Sequence, residues 1–256
     1  MSVLEIHQIP VLSDNYVYLA HDPASGHTAV VDPAVVDPVF DAAAEKGWTI
    51  THILNTHHHG DHTGGNLEIK SRTGCTIVGP RADRDRIPGI DVMLGDGDTY
   101  RLGEAEALVF DVPGHTHGHI AYWFEQSDAL FCGDTLFALG CGRVFEGTMD
   151  QMWSSLSKLK ALPESARIFC AHEYTQSNGR FALSVEPNNA ALVARMADID
   201  DKRQRNIPTV PSTLREELAT NPFLRPDSDD LQQTIGLVGG DAVSVFAETR
   251  RRKDNF

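Results

Sequence analysis

A chain of 256 residues with a net charge of −14 can bury a substantial core, as one domain or as a main domain with a smaller partner. Hydrophobic content of 41% and charged content of 23% suit a soluble globular enzyme, and no apolar run approaches the roughly 18–20 residues of a membrane-spanning helix. The acidity argues against a nucleic-acid partner but leaves room for a local basic pocket that takes a small anion.

The opening stretch, MSVLEIHQIP, lacks the basic and apolar regions of a secretory signal, so a cytoplasmic location is expected. Short apolar, β-branched runs bounded by Gly, Pro, Asp and Asn predict strands at 3–9, 16–20, 29–31, 50–54, 76–78, 107–112, 120–124, 129–132 and 167–171. Helical patterns fall between some of them, at 38–46, 65–72 and 150–162. This mixture predicts sheets covered by helices. Beyond Tyr174 strand-like runs nearly vanish, and 176–185, 189–205, 213–219 and 231–238 read as helices. The division expected is 1–173 and a smaller, mostly helical unit at 174–256. Cys75, Cys132, Cys141 and Cys170 show no C-x-x-C pairing and read as free thiols, with Cys132 and Cys170 as small core residues.

The chemistry concentrates in Thr56-His-His-His-Gly-Asp-His62. Imidazole nitrogen and carboxylate oxygen together suit zinc, iron or manganese. In an extended strand end His57 and His59, two apart, point to one side. Gly60 then lets the chain turn, so that Asp61 and His62 are aimed elsewhere. Three further predicted strands each end in a ligand-type residue: His115 after 107–112, Asp134 after 129–132 and His172 after 167–171. A rigid sheet edge is where catalytic groups collect. Asp134 reads as the bridge, being the carboxylate at such a strand end outside the cluster. Seven candidate ligands exceed one closed tetrahedral structural site, so the expectation is a catalytic pair of metals. His58 is expected to face away, and His117 and His119 to hydrogen-bond the ligands or serve local turns.

These residues resemble the metallo-β-lactamase superfamily, whose mark is H-x-H-x-D-H followed by distant His, Asp and His. Within it the chain is similar to the glyoxalase II (hydroxyacylglutathione hydrolase) family nearly end to end. The match includes Asp14-Asn-Tyr16, Pro113-Gly-His-Thr116, Leu130-Phe-Cys-Gly-Asp-Thr135, Cys141-Gly-Arg143, His172-Glu-Tyr-Thr175, Asn221-Pro-Phe-Leu-Arg225 and the terminal Arg-Arg-Arg-Lys-Asp-Asn-Phe. The resemblance implies an α+β protein, an αββα sandwich with a helical C-terminal domain that contributes to the substrate pocket. It also implies that His57, His59 and His115 hold one divalent cation and that Asp61, His62 and His172 hold the other, with Asp134 between them. Zinc is expected, with iron and manganese tolerated.

The substrate implied is a glutathione thioester such as S-lactoylglutathione, split to glutathione and a 2-hydroxy acid in the last step of methylglyoxal detoxification. A hydroxide shared by the metals would attack, with Asp61 and Asp134 as the catalytic carboxylates. Substrate contacts would fall on Arg143, Tyr174, Arg250 and Lys253, and the enzyme is expected to act as a monomer. By composition alone the terminal basic run reads as a solvated tail; the family match reverses that for Arg250 and Lys253 only. Two departures stand out: Gly60 where some relatives carry an aromatic residue, and Phe145 where others carry tyrosine. The rival readings are a β-lactamase or lactonase, a one-iron persulfide dioxygenase, and a non-catalytic metal-binding or RNA-processing module.

Overall fold

A computed structural model describes residues 2–256. The strands in chain order are β1 (Glu5–Val11), β2 (Asn15–Asp22), β3 (His27–Val31), β4 (Ile50–Leu54), β5 (Thr76–Pro80), β6 (Val92–Leu94), β7 (Thr99–Leu102), β8 (Ala105–Asp111), β9 (Ile120–Phe124), β10 (Ala129–Gly133), β11 (Leu136–Phe137), β12 (Gly140–Cys141), β13 (Arg167–Cys170) and β14 (Ser212–Thr213). The helices are α1 (Asp37–Lys46), α2 (Gly60–Thr63), α3 (Asn66–Thr73), α4 (Met149–Lys160), α5 (Thr175–Val185), α6 (Ala190–Gln204), α7 (Leu214–Thr220), α8 (Asp229–Ile235) and α9 (Ala242–Asp254).

Strands β1 to β6 form one sheet in sequence order, parallel from β3 onward. A second sheet runs β14-β13-β10-β9-β8-β7. Strands β9 and β10 are buried along their whole length and β2 nearly so, which is why they read as unbroken apolar runs rather than alternating ones. The two sheets face each other across one core. Tyr18 from the first meets Phe131 and Phe169 from the second at ring separations of 5.6 and 5.4 Å. Helices α1 and α3 cover the outer face of the first sheet through Val39 and Ile69, which pack with Ile53 and Ile77. Helix α4 covers the second through Met152, Leu156 and Leu159. The result is the four-layer αββα sandwich that the family resemblance implied, with helices α5 to α9 added.

Local chemistry sets the helix limits. Helix α1 stops at Gly47, whose φ of +70° most residues avoid. Helix α4 starts on a reciprocal cap, the Thr148 side chain accepting from Gln151 N while the Gln151 side chain accepts from Thr148 N.

The C-terminal helices pack into the same core, with Phe181, Phe223 and Phe246 joined to residues of the second sheet. Burial of a ring such as Phe246 contributes on the order of 1.5–3 kcal/mol. Two features depart from the sequence reading. The terminal basic run is helical, forming the end of α9, a helix whose first turn is capped by the Asp241 side chain accepting from Ser244 N. Its inward positions are Val245, Phe246, Thr249 and Arg250, so an arginine occupies a core-facing slot and masks the apolar spacing. The short strands β6 and β7 also lie in a stretch for which no element was predicted. No helix among the described residues is long and apolar enough to cross a membrane.

Candidate metal centre

Strands β8, β10 and β13 point the same way, because β9 is antiparallel to its neighbours β8 and β10, while β10 and β13 are parallel. Their carboxyl ends therefore share an edge, and His115, Asp134 and His172 follow them. The backbone bond from Ile120 N to Thr56 O, 2.9 Å, ties the histidine loop after β4 to this edge.

Three ring nitrogens converge first. His57 Nε2 lies 3.0 Å from His59 Nδ1, which lies 3.1 Å from His115 Nε2. Asp61, His62 and His172 make a second group of converging atoms. Asp134 stands between the groups: Oδ1 is 3.5 Å from His62 Nε2 and 3.4 Å from His172 Nε2, and Oδ2 is 3.4 Å from His115 Nε2. All seven residues thus meet at one place.

The route differs from the one expected. His57 and His59 lie beyond the end of β4, in a loop, and His59 is the N-cap of α2. Gly60 supplies no special turn: it opens a helical turn, and a Cβ there would meet nothing within 4 Å. A larger residue fits, in keeping with the aromatic that some relatives carry. Gly133 is the demanding position. Its φ is +47°, and a Cβ would come within 2.2 Å of Thr56 Oγ1 and 2.9 Å of the His119 ring.

Three of the candidate histidine ligands are held from behind. His62 Nδ1 donates to Asp32 Oδ2 at 3.1 Å, His172 Nδ1 to Asp14 Oδ1 at 2.9 Å, and His115 Nδ1 to the Arg143 carbonyl at 2.9 Å. Such partners fix the tautomer and aim the other nitrogen at the metal. Asn15 Nδ2 donates to Asp61 Oδ2 at 3.2 Å. His119 is fully buried, stacks on His57 at 4.6 Å, and accepts the Asp134 N–H at Nε2, 3.1 Å. His117 is exposed and touches no ligand; only its backbone N–H is used, donating to Glu146. His58 turns away to Asp83, 3.0 Å.

Sequence reasoning missed Asp32 and gave Asp14 no role. Asp32 sits just past β3, so Asp134 is not the lone strand-end carboxylate outside the cluster, and the elimination that singled it out was incomplete. The signal was available: Asp32 follows an apolar run in the same format as the other residues here.

The electrostatics suit cations. Burial, reinforced by the neighbouring rings, holds His57 well below the usual imidazole range, and burial lowers His59 and His115 too. All three therefore present lone pairs. Burial opposes charge on His62, but Asp134 and Asp32 outweigh it and push the group up to about 9. His172 rises for the same reason, against burial and through Asp134. Burial also opposes ionisation of Asp134, yet His62 and His172 keep it ionised far below the usual range. Protons thus sit where cations balance the charge, and two buried atoms, His62 Nε2 and Asp134 Oδ1, have no hydrogen-bond partner among the described residues. Donor types, unpartnered atoms and crowded nitrogens all fit divalent metals.

Beside the cluster opens a cavity of about 660 Å³. Tyr174 stacks flat on His172 at 4.7 Å and lines it, with Phe145 against His115 at 5.2 Å. Arg143, Arg250 and Lys253 line it as well. Arg250 is 3% exposed, with Nη1 donating to the Cys141 carbonyl at 2.9 Å and Nη2 paired with Asp254 at 2.9 Å. Arg251 and Arg252 pair with Glu248 on the same helix. All four cysteines are free and buried. Burial pushes the Cys170 thiol up to about 12 and, despite Arg250, the Cys141 thiol up to about 11.

The chain is similar to known proteins along its whole length. A family model described as metallo-beta-lactamase superfamily matches residues 11–172, and one described as hydroxyacylglutathione hydrolase C-terminus matches 173–256. The chain is 63% identical over 254 residues to a hydroxyacylglutathione hydrolase of Methylococcus capsulatus, covering 99% of each. It is 58% identical over 256 residues to that of Rhodospirillum rubrum, covering both completely. Among solved structures, ETHE1 from Myxococcus xanthus matches with a TM-score of 0.67 at 24% identity, over 97% of this chain and 98% of that one, a likeness of fold.

Proposed function

The chain belongs to the metallo-β-lactamase superfamily and, within it, to the hydroxyacylglutathione hydrolases, and on that premise we propose that it hydrolyses S-(2-hydroxyacyl)glutathione thioesters. The observation that carries the reading is the union of two ligand groups, spanned by Asp134, with an adjoining cavity lined by cations. In a chain of net charge −14, a cavity lined by four cations suits a peptide thioester that carries two carboxylates.

His57, His59 and His115 would hold one divalent cation and Asp61, His62 and His172 the other, with Asp134 shared. Zinc is the first choice, and iron or manganese are compatible with these donors. When bound, such a pair polarises the carbonyl and brings the pKa of bound water to about 7. The chain's own groups do the rest. Asp61, braced by Asn15, accepts a hydrogen bond from the attacking water at the cavity side. Asp14 and Asp32 keep His172 and His62 in the tautomer that leaves Nε2 free. Tyr174, Arg143 and Lys253 receive the peptide part, and Arg250 shapes the wall. The leaving thiol has an ordinary pKa of about 8.5, so it departs as thiolate without a strong general acid. The division into a catalytic unit, 1–173, and a helical substrate unit, 174–256, is supported by the cavity wall that α5 and α9 supply. Free, buried cysteines suit a reducing cytoplasm, and a monomer completes the reading.

The experiment is a comparison of substrates on one metal-loaded preparation. S-lactoylglutathione should be hydrolysed far faster than a β-lactam or an alkyl lactone. A preference for either of those would overturn the assignment.

A further inference from the structure

Four cations line the cavity, Arg143, Arg180, Arg250 and Lys253, and they are not equally available. Arg250 is buried and already bonded to the Cys141 carbonyl and Asp254, with its guanidinium 4.9 Å above the Phe223 ring. Turning it toward a ligand would strip those partners. Arg143 lies 3.8 Å from Asp254. Lys253 leans on helix α5, its Nζ 3.4 Å from both the carbonyl and the hydroxyl of Ser177. Arg180 is exposed and, among the described residues, makes neither a hydrogen bond nor an ion pair. In a chain with 36 acids and 22 Lys and Arg, that is unusual.

Arg180 follows Ser177 by three positions on α5, which places both on one helix face. Ser177 is the residue that Lys253 touches from α9. Two helices therefore bring a lysine and an unpaired arginine to the same side of the cavity. The cavity's acid on that wall, Asp254, already pairs with Arg250.

We propose that Arg180 is a specificity-determining residue that, with Lys253, receives a carboxylate of the peptide portion of the thioester. The proposal rests on the glutathione-thioester reading above. A planar guanidinium offers two parallel donors to a carboxylate, which the ammonium of Lys253 alone does not. Arg180 gives up no protein partner on binding, so only its desolvation and ordering offset the contact.

The test uses full-length, metal-loaded protein as wild type, Arg180→Ala, Arg180→Lys and Lys253→Ala. Calorimetry measures binding of S-methylglutathione, which has the peptide but no thioester. Kinetics compare S-lactoylglutathione with S-lactoyl-N-acetylcysteamine, which carries no carboxylate. Arg180→Ala should weaken S-methylglutathione binding and raise KM for S-lactoylglutathione about five- to tenfold, the range of a charged contact at a wet rim. Its kcat on that substrate should hold, Arg180→Lys should recover part of the loss, and the carboxylate-free thioester should show no matching rise in KM. Unchanged affinity and KM in Arg180→Ala would overturn the proposal, as would equal losses on both thioesters. A wild type that neither binds S-methylglutathione nor hydrolyses S-lactoylglutathione would overturn the glutathione reading itself, and the proposal with it.

Discussion

Replacing Asp32 by Asn isolates one support of the metal centre. The carboxylate accepts from Thr56 N at 2.8 Å, from the Thr56 hydroxyl at 2.7 Å and from His62 Nδ1 at 3.1 Å, and it is 4% exposed. Its φ of +50° is tolerated by Asn, so the backbone should not object. The amide oxygen can still accept from Thr56 N, and its NH2 can donate to the Thr56 hydroxyl. His62 Nδ1 then loses its acceptor, and the tautomer protonated at Nε2, the wrong one for ligation, gains weight. Loss of a charge-assisted bond should cost about 1.5–3 kcal/mol of stability. Metal affinity at the Asp61–His62–His172 group should fall roughly 10- to 100-fold, the usual effect of removing such a partner. Competitive chelator titration reads the two affinities separately, and thermal unfolding reads the stability. Affinity at the Asp61–His62–His172 group should drop while the His57–His59–His115 group holds, and kcat should recover at high free metal. Two wild-type affinities in Asp32→Asn would refute the claim that this carboxylate sets the His62 tautomer.

Other expectations follow from neighbouring geometry. His58→Ala should keep full metal content because His58 faces Asp83, whereas His57→Ala and His59→Ala should each lose metal; elemental analysis of the three decides. Arg250→Ala should act on the fold as well as on substrate, since it strands the Cys141 carbonyl and Asp254. A cost of about 2–3 kcal/mol lowers Tm by roughly 5–10 °C in a chain of this size, whereas Lys253→Ala should leave Tm within about 2 °C. His52 is pulled down to about 4 by burial and by His27. Its neutral form is the folded one, so stability should be constant above about pH 6.5, fall as pH drops from there to about 4, and level off below. His52→Gln should remove that part of the acid loss, so the Tm difference between variant and wild type should grow as pH falls; a constant difference would contradict it.

The seven candidate ligands were legible because ligation demands particular side chains, and each follows a run whose apolar character marks a strand. The layers were legible for the same reason: strands such as 120–124 and 129–132 are buried on both faces and carry no alternating polar residues. Helix α9 was not, because its buried face includes Thr249 and Arg250, and a buried arginine counts against burial in any reading by residue type. The supports Asp14 and Asp32 were hidden differently. They act through distances of 158 and 30 residues along the chain to His172 and His62, and pairing of that kind exists only once the sheets are packed.

The most direct test of the central claim is a metal titration of turnover. Protein stripped with a chelator should lose S-lactoylglutathione hydrolysis, and activity should return as a divalent metal is added back, saturating at about two equivalents as the seven-ligand cluster requires. Hydrolysis that survives complete metal removal, or full activity at one equivalent, would contradict it.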